Sequence, residues 1–295
     1  MPFIDVRGVS HYYEWISETP VSYPFQPSKP VMVFVHGWGG SDRYWESTAR
    51  TIAPQFDSLL YDMRGFGRSP LPKPVPDAVS AIGYELETYA DDLVLLLDAL
   101  GVHQKIYLNA HSTGASVGVL FLNRHGDRVE RGILTCNGIF DYDPAAFAAF
   151  YKFGGYVVAV RPKWLSAIPL VDRIFMARFL KRPIPAHDRK AFLEDFLMAD
   201  YEAALGTIFT AVSERAVEEM PKEFAKIPVP TLLVSGEYDQ IIPADMGSRA
   251  AALNPLVEHV VIANTAHFPM LEDPETYLHR VQDFLQMTPS TPLTA

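Results

Sequence analysis

The chain has 295 residues, 48% of them hydrophobic and 20% charged, the balance of a globular protein able to bury a large core, as one large α/β domain or two average ones. Its net charge of −10 argues against nucleic acid and anionic membrane surfaces as partners. A single cysteine, Cys136, excludes an internal disulfide, and no stretch approaches the ~18 apolar residues of a membrane span.

Residues Met1 to Arg7 lack the basic start and unbroken apolar core of a signal peptide, which with the lone cysteine predicts a reducing, cytoplasmic setting. Phe3 to Arg7 and His11 to Ile16 predict an opening hairpin turned at Gly8-Val9-Ser10. Pro20, Pro24, Pro27 and Pro30 mark an irregular connection. Val31 to Val35 then reads as a buried strand, followed at once by His36-Gly37-Trp38-Gly39-Gly40. A glycine-rich turn at a strand's C-terminal end leaves backbone N–H groups free to face a developing anion, and it equally suits a plain tight turn. A strand over 57–61 leads into Asp62-Met63-Arg64-Gly65-Phe66-Gly67-Arg68-Ser69, where Arg64 and the glycines suit a structural turn better than an acidic site.

A helical pattern from Thr88 to Leu100 precedes a strand over 105–109, which drives into Ala110-His111-Ser112-Thr113-Gly114. Small residues two before and two after Ser112 let the backbone fold sharply and lift the hydroxyl clear of the strand end. Because Ala115 to Asn123 is helix-forming, Ser112 also suits a helix N-cap. The strand over 132–136 ends on Cys136, a core residue to which no histidine-bearing pattern points.

Between Cys136 and Thr231 lies far more chain than the ~2–6 residues of an ordinary α/β loop. Aromatic residues from Phe147 through Phe150 and Phe153 to Phe209 recur at helix-like intervals, and Pro144, Pro162, Pro169, Pro183 and Pro185 divide the segment into short helices. A helical cap over 139–225 is expected, with 1–138 and 226–295 forming the core domain. Most of its aromatic residues pack the cap itself, and a few face the strand ends as an apolar pocket. Strands over 231–235 and 258–262 end in Gly236-Glu237-Tyr238-Asp239 and Asn264-Thr265-Ala266-His267-Phe268-Pro269. The tail from Thr288 is expected to fray. Strands alternating with helices predict an α/β fold whose sheet is mainly parallel and doubly covered, with its site outside the strands' carboxyl ends.

The Ser112 segment resembles the nucleophile elbow of the α/β-hydrolase family, with Ala110 where the family more often has glycine. The order Ser112, Asp239, His267 is the Ser…Asp…His order of that family, and the resemblance covers about residues 30–285, the cap matching only in position. It implies a catalytic triad with Ser112 as nucleophile, His267 as base and Asp239 orienting the imidazole. It also implies an oxyanion hole formed by the N–H groups of Trp38 and Thr113. Glu237 is the alternative acid, and the Gly-x-x-Asp spacing from Gly236 favours Asp239.

No metal or organic cofactor is implied, and no His-Glu-x-x-His spacing occurs. Serine at the elbow sets the chain apart from the epoxide hydrolases and haloalkane dehalogenases of this fold, which use aspartate there. The implied activity is hydrolysis of a carboxylic ester or lactone with a small to medium apolar acyl part, through an acyl-Ser112 intermediate. The same resemblance admits a carbon–carbon bond hydrolase, a lyase, a cofactor-free oxygenase, or a ligand-sensing protein that signals through its cap.

Overall fold

Strands covered on both faces are buried throughout, as the strands over 31–35, 57–61 and 231–236 are along their whole length. The computed structural model describes residues 2–141 and 143–287. The tail from Thr288 and the side chains of Phe150 and Phe153 lie outside the described residues. Eight strands, β1 (Phe3–Val6), β2 (Val9–Ile16), β3 (Val31–Val35), β4 (Asp57–Tyr61), β5 (Ile106–His111), β6 (Val129–Thr135), β7 (Thr231–Gly236) and β8 (Val257–Ile262), form one sheet in the order β1-β2-β4-β3-β5-β6-β7-β8. β2 runs antiparallel to both β1 and β4, and every other pairing is parallel.

The opening hairpin turns one position earlier than expected. Val6 pairs with Val9, and the two residues between them, Arg7 and Gly8, both have positive φ, 55° and 82°. Such a two-residue turn matches the twist of the flanking strands, so Val9 joins β2 as a fully buried residue instead of sitting in a loop.

Twelve α-helices accompany the sheet among the described residues: α1 (Glu46–Ile52), α2 (Asp77–Ser80), α3 (Leu86–Ala99), α4 (Thr113–Arg124), α5 (Pro144–Ala159), α6 (Val171–Met176), α7 (Ala186–Met198), α8 (Tyr201–Ala211), α9 (Glu214–Lys226), α10 (Ala244–Ala251), α11 (Pro269–Glu272) and α12 (Pro274–Leu285). Alternate residues of β3 go to opposite faces. Val31, Val33 and Val35 pack with Leu93 and Leu97 of α3 and Val117 and Phe121 of α4, whereas Met32 and Phe34 pack with Ile52 of α1 and Tyr277 and Val281 of α12. None of the helices among the described residues is long and apolar enough to cross a membrane.

Helices α5 to α9 all lie between β6 and β7. This insertion is tied to the loops at the strands' C-terminal ends. Ser41 Oγ donates to Asp195 Oδ2 at 2.6 Å, Arg43 pairs with Glu194 and Asp195, and the Leu71 N–H donates to Asp200 Oδ2 at 2.6 Å. The His267 N–H donates to the Phe179 carbonyl at 2.9 Å. A segment that large stays seated because its polar anchors are buried and paired.

Candidate active site

The chain order reverses between β3 and β5, which lie side by side, and the loops leaving their carboxyl ends meet there. Ser112 follows β5 with φ 55° and ψ −124°, a conformation rare for a non-glycine residue. Gly114 is required at this crossing, because a Cβ there would stand 2.2 Å from the His36 carbonyl oxygen. The Ser112 side chain makes no capping bond to α4. Its Oγ lies instead 3.0 Å from His267 Nε2, so the hydroxyl is turned away from the helix cap.

His267 Nδ1 lies 2.7 Å from Asp239 Oδ2. An ionised carboxylate only accepts, so Nδ1 carries the proton and Nε2 is left as the acceptor for the Ser112 hydroxyl. Asp239 Oδ1 accepts from the N–H groups of Ile241 and Ile242 at 2.8 and 3.0 Å. Burial works to raise the Asp239 pKa, but the neighbouring His267 and these hydrogen bonds together outweigh it and hold the carboxyl below its ordinary value. The acid and histidine loops are laced to each other. The Tyr238 N–H donates to the Thr265 carbonyl at 2.8 Å, and a Cβ on Gly236 would come within 1.9 Å of the Ala266 carbonyl.

The competing acids lie elsewhere. Glu237 is exposed and accepts from the Asn264 N–H at 2.9 Å, and Asp141 pairs with Arg249 at 2.8 Å. Asp62 accepts from the N–H groups of Asp42 and Arg68 at 2.8 and 2.7 Å and from Arg68 Nε at 2.9 Å, so its loop is structural, as its composition suggests. The Trp38 N–H follows β3 and the Thr113 N–H follows Ser112, and neither donates to a protein acceptor among the described residues. Trp38 itself is fixed by a bond from Nε1 to the Ala204 carbonyl at 2.8 Å and by the Phe196 ring at 5.6 Å.

Three groups that the motifs do not reveal complete the surroundings. His111 is fully buried, with Nε2 2.7 Å from the His267 carbonyl oxygen and Nδ1 3.0 Å from the Tyr44 hydroxyl. A carbonyl only accepts, so Nε2 carries the proton. Tyr44 therefore donates to Nδ1 while its oxygen accepts the Gly37 N–H. Burial first, and the nearby His267 second, lower the His111 pKa well below the usual histidine value and keep the ring neutral. Glu272 is the third group: Oε1 accepts from the Ala266 and Phe268 N–H groups on either side of His267, and Oε2 accepts from those of Lys181 and Arg182 in the insertion.

Among the described residues, His111, Cys136 and His267 bring potential metal-ligating atoms within 4.8 Å of one another. Both nitrogens of each histidine already face protein partners, and burial pushes the Cys136 thiol up, so the cluster does not fit a cation. Four rings of the insertion crowd the site: Phe179 lies 6.0 Å from the His267 ring, Phe192 5.2 Å from Phe268, and Phe175 4.8 Å from Phe196.

Residues 30–274 match the family model described as alpha/beta hydrolase fold. The AB hydrolase superfamily protein YisY of Bacillus subtilis is 27% identical over 257 residues, covering 84% of this chain and 88% of that protein. The non-heme chloroperoxidase CPO-A1 of Kitasatospora aureofaciens is 26% identical over 279 residues, covering 90% of this chain and 92% of the relative. Among solved structures, the enol-lactonase from Burkholderia xenovorans superposes with a TM-score of 0.74 at 21% identity, covering 97% of this chain and all of that one. A family match that runs from β3 through α12's first residue, on a sheet of this order, means that the chain belongs to the α/β-hydrolase fold family.

Proposed function

We propose that the protein is a serine hydrolase that cleaves a carboxylic ester or lactone with a small to medium apolar acyl part. The hydrogen-bonded line from Ser112 through His267 to Asp239 carries this reading. In it His267 Nε2 takes the Ser112 proton as Oγ attacks the acyl carbon, and Asp239 stabilises the imidazolium that forms. The N–H groups of Trp38 and Thr113 receive the oxyanion, at about 3–4 kcal/mol per donor in comparable sites. His267 then gives its proton to the leaving oxygen. Water, deprotonated by the same nitrogen, releases the acid and restores Ser112.

The insertion over 139–225 acts as a cap in this reading. Its Phe175, Phe179, Phe192 and Phe196 crowd the site and favour an apolar acyl part. The likeness to an enol-lactonase favours the same class of carbonyl substrate. The likeness to a non-heme chloroperoxidase favours a second reading, oxidative chemistry on the same residues. Fluorophosphonate labelling and a panel of esters, lactones and β-diketones test the first reading. One adduct on the Ser112 peptide with turnover of an ester or lactone supports it, and an unlabelled, folded protein overturns it.

A further inference from the structure

Residues 160–190 of the insertion contain eight Lys and Arg against two Asp, a local charge of +6 within a chain of −10. Lys163, Arg173, Arg178 and Lys190 are exposed and have no carboxylate partner among the described residues. One of the two acids, Asp172, is buried and already neutralised by Arg189 at 3.0 Å. Interleaved with these cations are large apolar side chains left in solvent: Val160 is 69% exposed, Trp164 64%, Leu170 58% and Ile174 76%. A single exposed leucine needs no explanation, but four large apolar side chains left in solvent within fifteen positions are a concentration that calls for one. Leu170, Arg173 and Lys190 share the wall of one hollow of about 510 Å³.

Helix α6 has two distinct sides. Phe175 lies against Phe196, and Met176 is buried beside the candidate site, while Arg173 and Ile174 point into solvent. The whole-chain charge averages this asymmetry away. At physiological salt a surface senses only charges within about 8 Å, so the cations left without a carboxylate partner, not the global −10, decide what this face attracts.

We propose that the outer face of the insertion, residues 160–190, docks on an anionic lipid bilayer. Val160, Trp164, Leu170 and Ile174 enter the headgroup boundary, and Lys163, Arg173, Arg178 and Lys190 meet lipid phosphates. Cations mixed among apolar side chains and a tryptophan suit an interface that is apolar on one side and charged throughout. A protein partner would select an apolar centre depleted of lysine, whereas Lys163 and Lys190 stand among the exposed apolar side chains here. Nucleic acid would give the exposed Ile174 and Val160 nothing to contact. The proposal stands on this surface alone and is independent of the role of Ser112.

Vesicle sedimentation of the full chain tests it, comparing phosphatidylcholine with phosphatidylcholine mixed with phosphatidylglycerol. Of the four tryptophans, Trp164 alone is exposed, so its emission reports insertion directly. Binding is expected to the mixed vesicles and not to phosphatidylcholine, with a blue shift that Trp164→Ser abolishes. Lys163→Gln, Arg173→Gln and Lys190→Gln should each weaken binding about five-fold, and added salt should release the protein. Lys105→Gln, at the opposite end of β5, should leave binding unchanged. Three results overturn the proposal: no binding to mixed vesicles, binding indifferent to the three cation variants, or a dimer in sedimentation velocity that the same variants dissociate while vesicles bind nothing.

Discussion

His111 donates its Nε2–H to the main-chain carbonyl of His267 at 2.7 Å, tying the residue before Ser112 to the backbone of the histidine that faces it. Through Tyr44 the same ring reaches the Gly37 N–H, so the loop after β3, the elbow after β5 and the loop after β8 hang on one buried imidazole. A network of this kind sets relative positions without touching substrate.

Tyr44→Phe keeps the ring but leaves the Gly37 N–H and His111 Nδ1 without their buried partner, at a cost of about 1–3 kcal/mol. If the network positions the loop that precedes Trp38, kcat should fall about ten- to a hundred-fold with KM nearly unchanged. A purely structural role would lower Tm and leave kcat per folded molecule intact. Steady-state kinetics beside thermal unfolding separates the two.

Asp239→Asn should preserve the fold and lower turnover strongly, about 10⁴-fold by analogy with the same change in a serine protease. Glu237→Gln should cost less than about ten-fold, because that carboxylate only braces the Asn264 N–H at the surface. The kcat/KM values of the two variants decide the acid, and equal losses would count against Asp239.

The parts of the fold that could be read in advance are those written in contiguous residues. β3 is a continuous apolar run because both its faces are covered, the apolar middles of β4 and β7 read the same way, and the serine, acid and histidine come after the ends of β5, β7 and β8. The turn at Arg7-Gly8 was misplaced because only one of its two positive-φ residues is a glycine. Tyr44, His111 and Glu272 are not legible because each joins groups distant in sequence: His111 reaches the His267 carbonyl 156 residues away, Glu272 the Lys181 N–H 91 residues away, and Tyr44 links the Gly37 N–H to the His111 ring 67 residues on. No side-chain pattern encodes a carbonyl. Which aromatic residues of the insertion approach the His267 loop is hidden for a related reason: Phe179 lies against His267 and Phe192 against Phe268 through the way the insertion packs, not through spacing.

Phe179→Ala and Phe192→Ala should shift preference toward longer acyl groups, since each removes a ring beside the His267 loop. One methylene in an apolar pocket discriminates by about 10- to 200-fold, so a series of p-nitrophenyl esters of increasing length resolves the change. An unaltered chain-length profile in both variants would place the acyl pocket elsewhere.

Stability should respond to pH through His111. Its pKa in the fold lies below the unfolded value, so above the unfolded value both states are neutral and its contribution is complete. As pH falls below about 6.5 the unfolded ring takes up a proton that the folded ring refuses, and stability is lost down to the folded pKa. The slope is at most about 1.4 kcal/mol per pH unit for this one group. Urea unfolding between pH 7 and pH 5 should therefore be less pH-dependent in His111→Gln than in the wild type, and parallel curves would refute the assignment.

Ser112→Ala separates the hydrolase from the oxidative and lyase readings. If Ser112 Oγ forms the acyl bond, its removal should abolish nearly all turnover, roughly 10⁶-fold in a comparable triad, and His267→Ala should do about the same. If His267 acts alone as the base and Ser112 only positions substrate, the serine variant keeps an appreciable rate while the histidine variant does not. Rapid-quench mass spectrometry on the best ester supplies the second arm, because an acyl-enzyme adds the mass of the acyl group to the Ser112 peptide. A Ser112→Ala protein that turns over its best substrate at a substantial fraction of the wild-type rate, with no adduct trapped on the wild type, would sink the ester-hydrolase assignment.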